Sequence, residues 1–98
     1  MNIGFHPEAL AELQAAVIFY EQRQPGLGDR FVLAIEDAIQ SIAESPERWG
    51  PLEADIRRKL TRIFPYAILY SIEPEFVHII AVMHCHQKPS YWKSRIPN

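Results

Sequence analysis

Phe64-Pro65-Tyr66-Ala67-Ile68-Leu69-Tyr70-Ser71-Ile72-Glu73-Pro74-Glu75-Phe76-Val77-His78-Ile79-Ile80-Ala81-Val82-Met83 is the stretch that decides the fold. It holds two apolar runs, rich in β-branched and aromatic side chains, on either side of an acidic turn at Glu73-Pro74-Glu75. Such residues fit a pleated, half-buried surface, and strands joined by so short a turn are antiparallel neighbours. Val77–Met83 is almost unbroken in its apolarity, which predicts a central strand covered on both faces for part of its length.

Working upstream, Phe64-Pro65-Tyr66 separates the strand Tyr66–Ile72 from an earlier one, Ile56–Ile63, which carries the bases Arg57, Arg58, Lys59 and Arg62. Ser45–Glu53, punctuated by Pro46, Gly50 and Pro51, reads as a loop pinned to the core by Trp49. Before it, Phe31, Ile35, Ile39 and Ile42 recur at helical spacing in a helix starting near Asp29 and ending before Pro46. Pro25-Gly26-Leu27-Gly28 breaks the chain between that helix and an earlier one. The earlier helix runs from Pro7 to about Gln24, with Leu10, Leu13, Val17 and Tyr20 as its inner stripe. Asn2–Phe5 fits a short edge strand. The expected order is β-α-α-β-β-β, an α+β fold with a helical hairpin on one face of a twisted, mainly antiparallel sheet. Residues 1–98 form one domain, long enough to bury a core without disulfide staples.

Downstream of the sheet come Met83-His84-Cys85-His86-Gln87-Lys88-Pro89-Ser90-Tyr91-Trp92. Cations and ring faces collect where a buried strand emerges into solvent, a placement suited to meeting a partner. Charge is split along the chain: residues 1–53 carry a net −6 and residues 54–98 a net +4, within an overall −2. A pI near 6.0 argues against a whole-surface phosphate binder. One cysteine, Cys85, permits no internal disulfide, and no basic leader or apolar span of membrane length occurs, so a cytoplasmic location is expected.

Several chemistries are weighed by residue type. Alternation sends Arg57 and Lys59 to one face and Arg58 and Arg62 to the other. Two readings stand there: a solvated edge strand guarded by charge, or a cationic patch for phosphate or acidic groups. His78, His84 and His86 share strand parity if the strand continues, but i, i+2 spacing offers at most two metal ligands, so no metal and no cofactor is expected. His84 is a candidate acid or base, or a plain hydrogen-bonded strand-end histidine. Cys85 alternates away from both neighbouring histidines, which disfavours a Cys–His nucleophile. The acids read as solvated helix faces. Trp92 reads as a tail anchor, and Tyr91 as an anchor, a stacking platform or a hydroxyl donor.

In series, these residues resemble the RelE/ParE toxin superfamily of type II toxin–antitoxin systems. The resemblance is carried by His6-Pro7-Glu8-Ala9, Tyr20-Glu21, Gly26-Leu27-Gly28 before Arg30-Phe31, and Ser45-Pro46. Ile56-Arg57-Arg58, Phe64-Pro65-Tyr66 with Tyr70, and His84 before Lys88-Pro89 and Tyr91-Trp92 continue it in order along nearly the whole chain. It leans to the ParE-like branch, whose members act on DNA gyrase; RelE-like members cut messenger RNA on the ribosome. The resemblance implies a cognate antitoxin as partner in a toxin–antitoxin hetero-oligomer, with a role in plasmid stabilisation. It also implies target-binding residues at Arg57, Arg58, Arg62, His84, His86, Lys88, Tyr91 and Trp92. In the RelE-like alternative His84, Arg57, Arg58, Arg62 and Tyr91 become catalytic. The position three after His84, often arginine in such toxins, is Gln87 here, and glutamine cannot neutralise a phosphate as guanidinium does. A detoxified binding module of the same fold is the remaining alternative.

Overall fold

The computed structural model describes residues 1–88 and 90–96. The elements are β1 (Asn2–Phe5), α1 (Pro7–Arg23), α2 (Leu27–Glu44), β2 (Pro51–Glu53), β3 (Ile56–Leu60), β4 (Tyr66–Ile72) and β5 (Phe76–His84), followed by a short 3-10 turn at Lys93–Arg95. The sheet order is β1-β5-β4-β3-β2, with β1 parallel to β5 and every other pair antiparallel.

Each helix boundary has a local cause. Pro7 stands in the first turn of α1, and the His6 Nδ1 accepts from the Glu8 N–H, satisfying a donor the helix itself leaves unpaired. Gly26, at φ 88°, turns the chain between the helices in a conformation that disfavours any residue with a Cβ. The Glu21 carboxylate then caps α2 from outside, accepting from the N–H groups of Gly26 and Gly28 at 3.0–3.1 Å. Gly28 is required by proximity: a Cβ there would lie 2.9 Å from both Glu21 Oε1 and the Val17 carbonyl.

The helical hairpin covers one face of the sheet, burying Phe31, Ile35 and Ile42 against Ile68, Tyr70, Val77 and Ile79. The opposite face is also partly covered. Trp92, 3% exposed, folds back over Ile56, Leu69, Ile80 and Ala81, so β5 is sandwiched as its apolarity predicts.

Four details differ from the sequence reading. Pro51–Glu53 pairs with β3 as a three-residue edge strand inside the expected loop. β3 stops at Leu60; Thr61 ties the turn by donating through its hydroxyl to the carbonyls of Phe64 and Tyr66. Arg62 therefore lies beyond the strand, where alternation no longer assigns its face, and it sits beside Arg30, Leu33 and Asp37 of α2. Leu10 is 42% exposed rather than inward; Ala9 and Ala16 are buried in its place, with Leu13, Val17 and Tyr20 beside them. Small side chains on the inner face of α1 let the helix lie close to the sheet.

The fourth difference is a bulge in β5. Tyr70 pairs with Ile79 and Leu69 with Ala81, leaving Ile80 unmatched. The extra residue reverses side-chain parity. Val77, Ile79 and Val82 face the helices, whereas Ile80 and Ala81 face the Trp92 side. His78 and His84 consequently fall on opposite faces, and the expected shared parity of the three histidines does not hold.

Candidate functional site

β1 ends at Phe5, and the chain turns into α1 after the His6 N–H donates to the Ile79 carbonyl. Beyond that point the outer edge of β5 has no neighbouring strand. Two side chains supply what a strand would have given: Glu12 Oε1 accepts from the Val82 N–H at 3.0 Å, and Arg95 Nη1 donates to the Ile80 carbonyl at 3.1 Å. Both are backbone groups that burial would penalise if left unpaired.

Glu12 is the hub of this arrangement. Its carboxylate also accepts from Arg95 Nη1 at 2.8 Å, Arg95 Nη2 at 3.0 Å and the Tyr91 hydroxyl at 2.6 Å. The bidentate guanidinium–carboxylate pairing is the strong, directional kind, and the Arg95 side chain is only 7% exposed. Burial and the bond to Glu12 hold the Tyr91 phenol protonated well above the ordinary tyrosine range. The bond to Glu12 likewise raises the Arg95 guanidinium further. Glu12 is thus a half-buried structural acid, not the solvated helix-face residue expected of it. Its partners lie about eighty positions away, so no local pattern announces it.

Above this hub is a cleft of about 380 Å³ lined by Glu12, Phe19, Tyr66, His84, Gln87 and Tyr91. His84 stands edge-on to Tyr66 with ring centroids 5.2 Å apart. Its Nδ1 accepts from the His86 N–H at 3.0 Å, so a neutral His84 carries its proton on Nε2. The His86 ring lies 5.1 Å from it and is exposed. Burial, then Tyr20 and Glu12, push the Tyr66 phenol upward.

Gln87 also borders a second cleft, of about 420 Å³, on the other face of the sheet, together with Arg58, Met83, Cys85 and Trp92. Cys85 and His84 line different clefts, as alternation predicted. The Lys93–Glu53 pair, at 2.9 Å, ties the C-terminal segment to β2 near this cleft.

The structure gathers some of the sequence-selected residues and separates others. His84, His86, Gln87 and Tyr91 meet at the end of β5, and Lys88 is exposed just after them; Pro89 lies outside the described residues. Arg58 reaches only the opposite cleft. Arg57 is occupied elsewhere: its Nη1 donates to the Trp49 carbonyl at 2.7 Å and, more weakly, to that of Glu47 at 3.3 Å. Lys59 stacks over the Trp49 ring at 4.5 Å, and the buried Tyr70 hydroxyl donates to the Pro46 carbonyl at 2.6 Å. Arg57, Lys59 and Tyr70 together hold the loop that Trp49 was expected to pin. Arg57, Arg58 and Arg62 are thus not gathered with His84. Phe19 and Tyr66 line the cleft without having been assigned a site role from sequence, and Arg95 reaches it only through Glu12.

No group of three or more His, Cys, Asp or Glu among the described residues is placed to hold a metal ion. No described helix is long and apolar enough to cross a membrane.

A two-helix hairpin on a mixed five-strand sheet, with a histidine–aromatic cleft at the end of its longest strand, defines a small two-layer α+β protein. The chain belongs to the ParE toxin family of type II toxin–antitoxin systems (parDE), which matches residues 3–89. It is similar to Toxin RelE2 of Caulobacter vibrioides, 37% identical over 76 residues that cover 78% of this chain and 85% of that protein. Its fold is similar to a chain of the chromosomal ParDE TA system from P. aeruginosa, with a TM-score of 0.75 at 14% identity, covering 86% of this chain and 95% of that one.

Proposed function

We propose that this toxin arrests growth by docking on a large protein target, DNA gyrase in the ParE-like manner, catalyses no reaction itself, and is silenced by a cognate antitoxin. The observation that carries the non-nuclease reading is the setting of His84. Cleavage of RNA at a 2′-hydroxyl needs a cation facing the phosphate as charge develops on it. The cleft beside His84 presents the neutral Gln87 and the Glu12 carboxylate, with Arg95 already committed to Glu12. Arg57 is tied to backbone carbonyls, and Arg58 and Arg62 lie away from that cleft.

The antitoxin seat in this reading is an open groove of about 880 Å³ between β1 and the hairpin, floored by Ile3, Phe5, Leu13, Ile35 and Ile39. β1 is an edge strand, so unpaired backbone groups border the groove and can accept an extended segment beside an apolar one. Glu36 and Glu44 on its wall favour basic flanks in that partner.

Kinship with a protein named Toxin RelE2 keeps messenger cleavage as a second reading, with His84 as acid or base. The two separate in a purified translation reaction read by primer extension across the message. Intact message together with growth arrest on expression supports the binding toxin. Cuts in codon register establish the nuclease, and absence of any growth arrest establishes a detoxified module.

A further inference from the structure

α1 is apolar on both sides. Its inner face packs on the sheet through Ala9, Leu13, Ala16 and Tyr20. On the outer face Ala11, Ala15, Ile18 and Gln22 recur at spacings of four, three and four, the rhythm of a helix–helix seam. All four are exposed, Ile18 at 57%, and Phe19 beside them at 47%. No charged side chain falls within that seam. Surface helices ordinarily turn a polar face to water, so this one is unpartnered.

We propose that this seam pairs with the same seam of a second copy, the two α1 helices crossing antiparallel about a two-fold axis near Ala15. Three features select a copy of this chain as occupant. Ala15 lies at the midpoint of the 17-residue helix, and its small side chain permits close approach where a two-fold axis brings like residues together. Antiparallel pairing sets the alanines of one helix against the bulkier Ile18 and Phe19 of the other. The seam is also self-complementary in charge: Glu8, exposed although 3.7 Å from Arg95 of its own chain, begins the flank that Arg23 ends, and antiparallel helices bring the same flank of each together. Arg23 is already oriented on that flank, its guanidinium 4.7 Å from the Phe19 ring centroid. The outer seam lies on the side of α1 opposite the groove assigned to the antitoxin, but Ala15 and Phe19 also line the His84 cleft, so pairing would cover part of the surface assigned to the target. One helix about 26 Å long makes a small interface.

Sedimentation of the full chain across micromolar concentrations reads this directly. A concentration-dependent rise toward twice the 11.3 kDa chain mass is expected, with Ile18→Glu monomeric throughout. Because Ile18 is exposed, that variant is expected to keep the parent's circular dichroism, separating loss of pairing from loss of fold. Glu8→Arg and Arg23→Glu should each weaken pairing by about tenfold, and an equimolar mixture of the two should recover it as a heterodimer. A wild-type chain that stays monomeric, a dimer indifferent to Ile18→Glu, or a mixture that recovers nothing overturns the proposal. A monomeric chain whose antitoxin binding is abolished by Ile18→Glu also overturns it, and gives the seam to the antitoxin.

Discussion

Glu12 carries more of this molecule than any other polar residue. One carboxylate accepts from the Val82 backbone, the Tyr91 hydroxyl and both terminal nitrogens of Arg95, so its loss strands several partners at once. Glu12→Gln should lower unfolding free energy by about 2–4 kcal/mol in urea titration, since an amide leaves a nearly buried guanidinium with only the exposed Glu8 carboxylate, 3.7 Å away, as counter-charge. Tyr91 gives a pH signature of the same contact. Its phenol is held protonated in the fold, by burial first and by Glu12 second. A raised folded-state value means the stabilisation is complete below the unfolded phenol pKa of about 10 and disappears only as pH rises through the higher folded value. The phenols of Tyr20, Tyr66 and Tyr70 are also raised, chiefly by burial, so absorbance titration should show tyrosines ionising late, and Tyr91→Phe should remove the latest component. Ile63 presents the opposite case. It is 84% exposed at φ 72°, a conformation that costs a β-branched residue about 1–3 kcal/mol with no burial in return. Ile63→Gly should leave the fold intact and raise the midpoint of thermal unfolding.

At the scale of elements, the packing of α1 against α2 depends on the absence of one methyl group. Gly28→Ala would press a Cβ against the Val17 carbonyl and the Glu21 carboxylate that caps α2, and should cost about 1–3 kcal/mol by denaturant titration. The helices and the β4–β5 hairpin were legible because their periods are local: Phe31, Ile35 and Ile42 repeat every turn, and Glu73-Pro74-Glu75 interrupts two apolar runs. The bulge at Ile80 was not legible, since an unbroken apolar run carries no mark of which residue lacks a partner. That single insertion moved His84 to the helix side and His78 to the other. The inner stripe of α1 was misplaced at Leu10 for a related reason: a helix apolar on two faces has no unique phase.

Across the whole molecule, both faces of the sheet are covered, and the second cover is the chain's own C-terminal segment. Trp92 seals it against Ile56, Leu69, Ile80 and Ala81, and the Lys93–Glu53 and Arg95–Glu12 pairs hold its flanks. The tail anchor was predictable from a late tryptophan, whereas the Glu12 clasp required a fold that brings residues 12, 82, 91 and 95 together. Alternation already divided Arg57 and Arg58 between the two faces; three dimensions commit Arg57 to a loop, Arg58 to one cleft and Arg62 to the edge of α2. The cleft at the end of β5 is lined by Glu12, Tyr66, His84, Gln87 and Tyr91, and we propose that it grips a protein target, since a carboxylate stands where phosphate chemistry would need a cation. The most direct test of that claim is a supercoiling assay with purified DNA gyrase titrated by this chain. The account predicts inhibition that the cognate antitoxin relieves; undiminished supercoiling in the presence of excess folded toxin would contradict it.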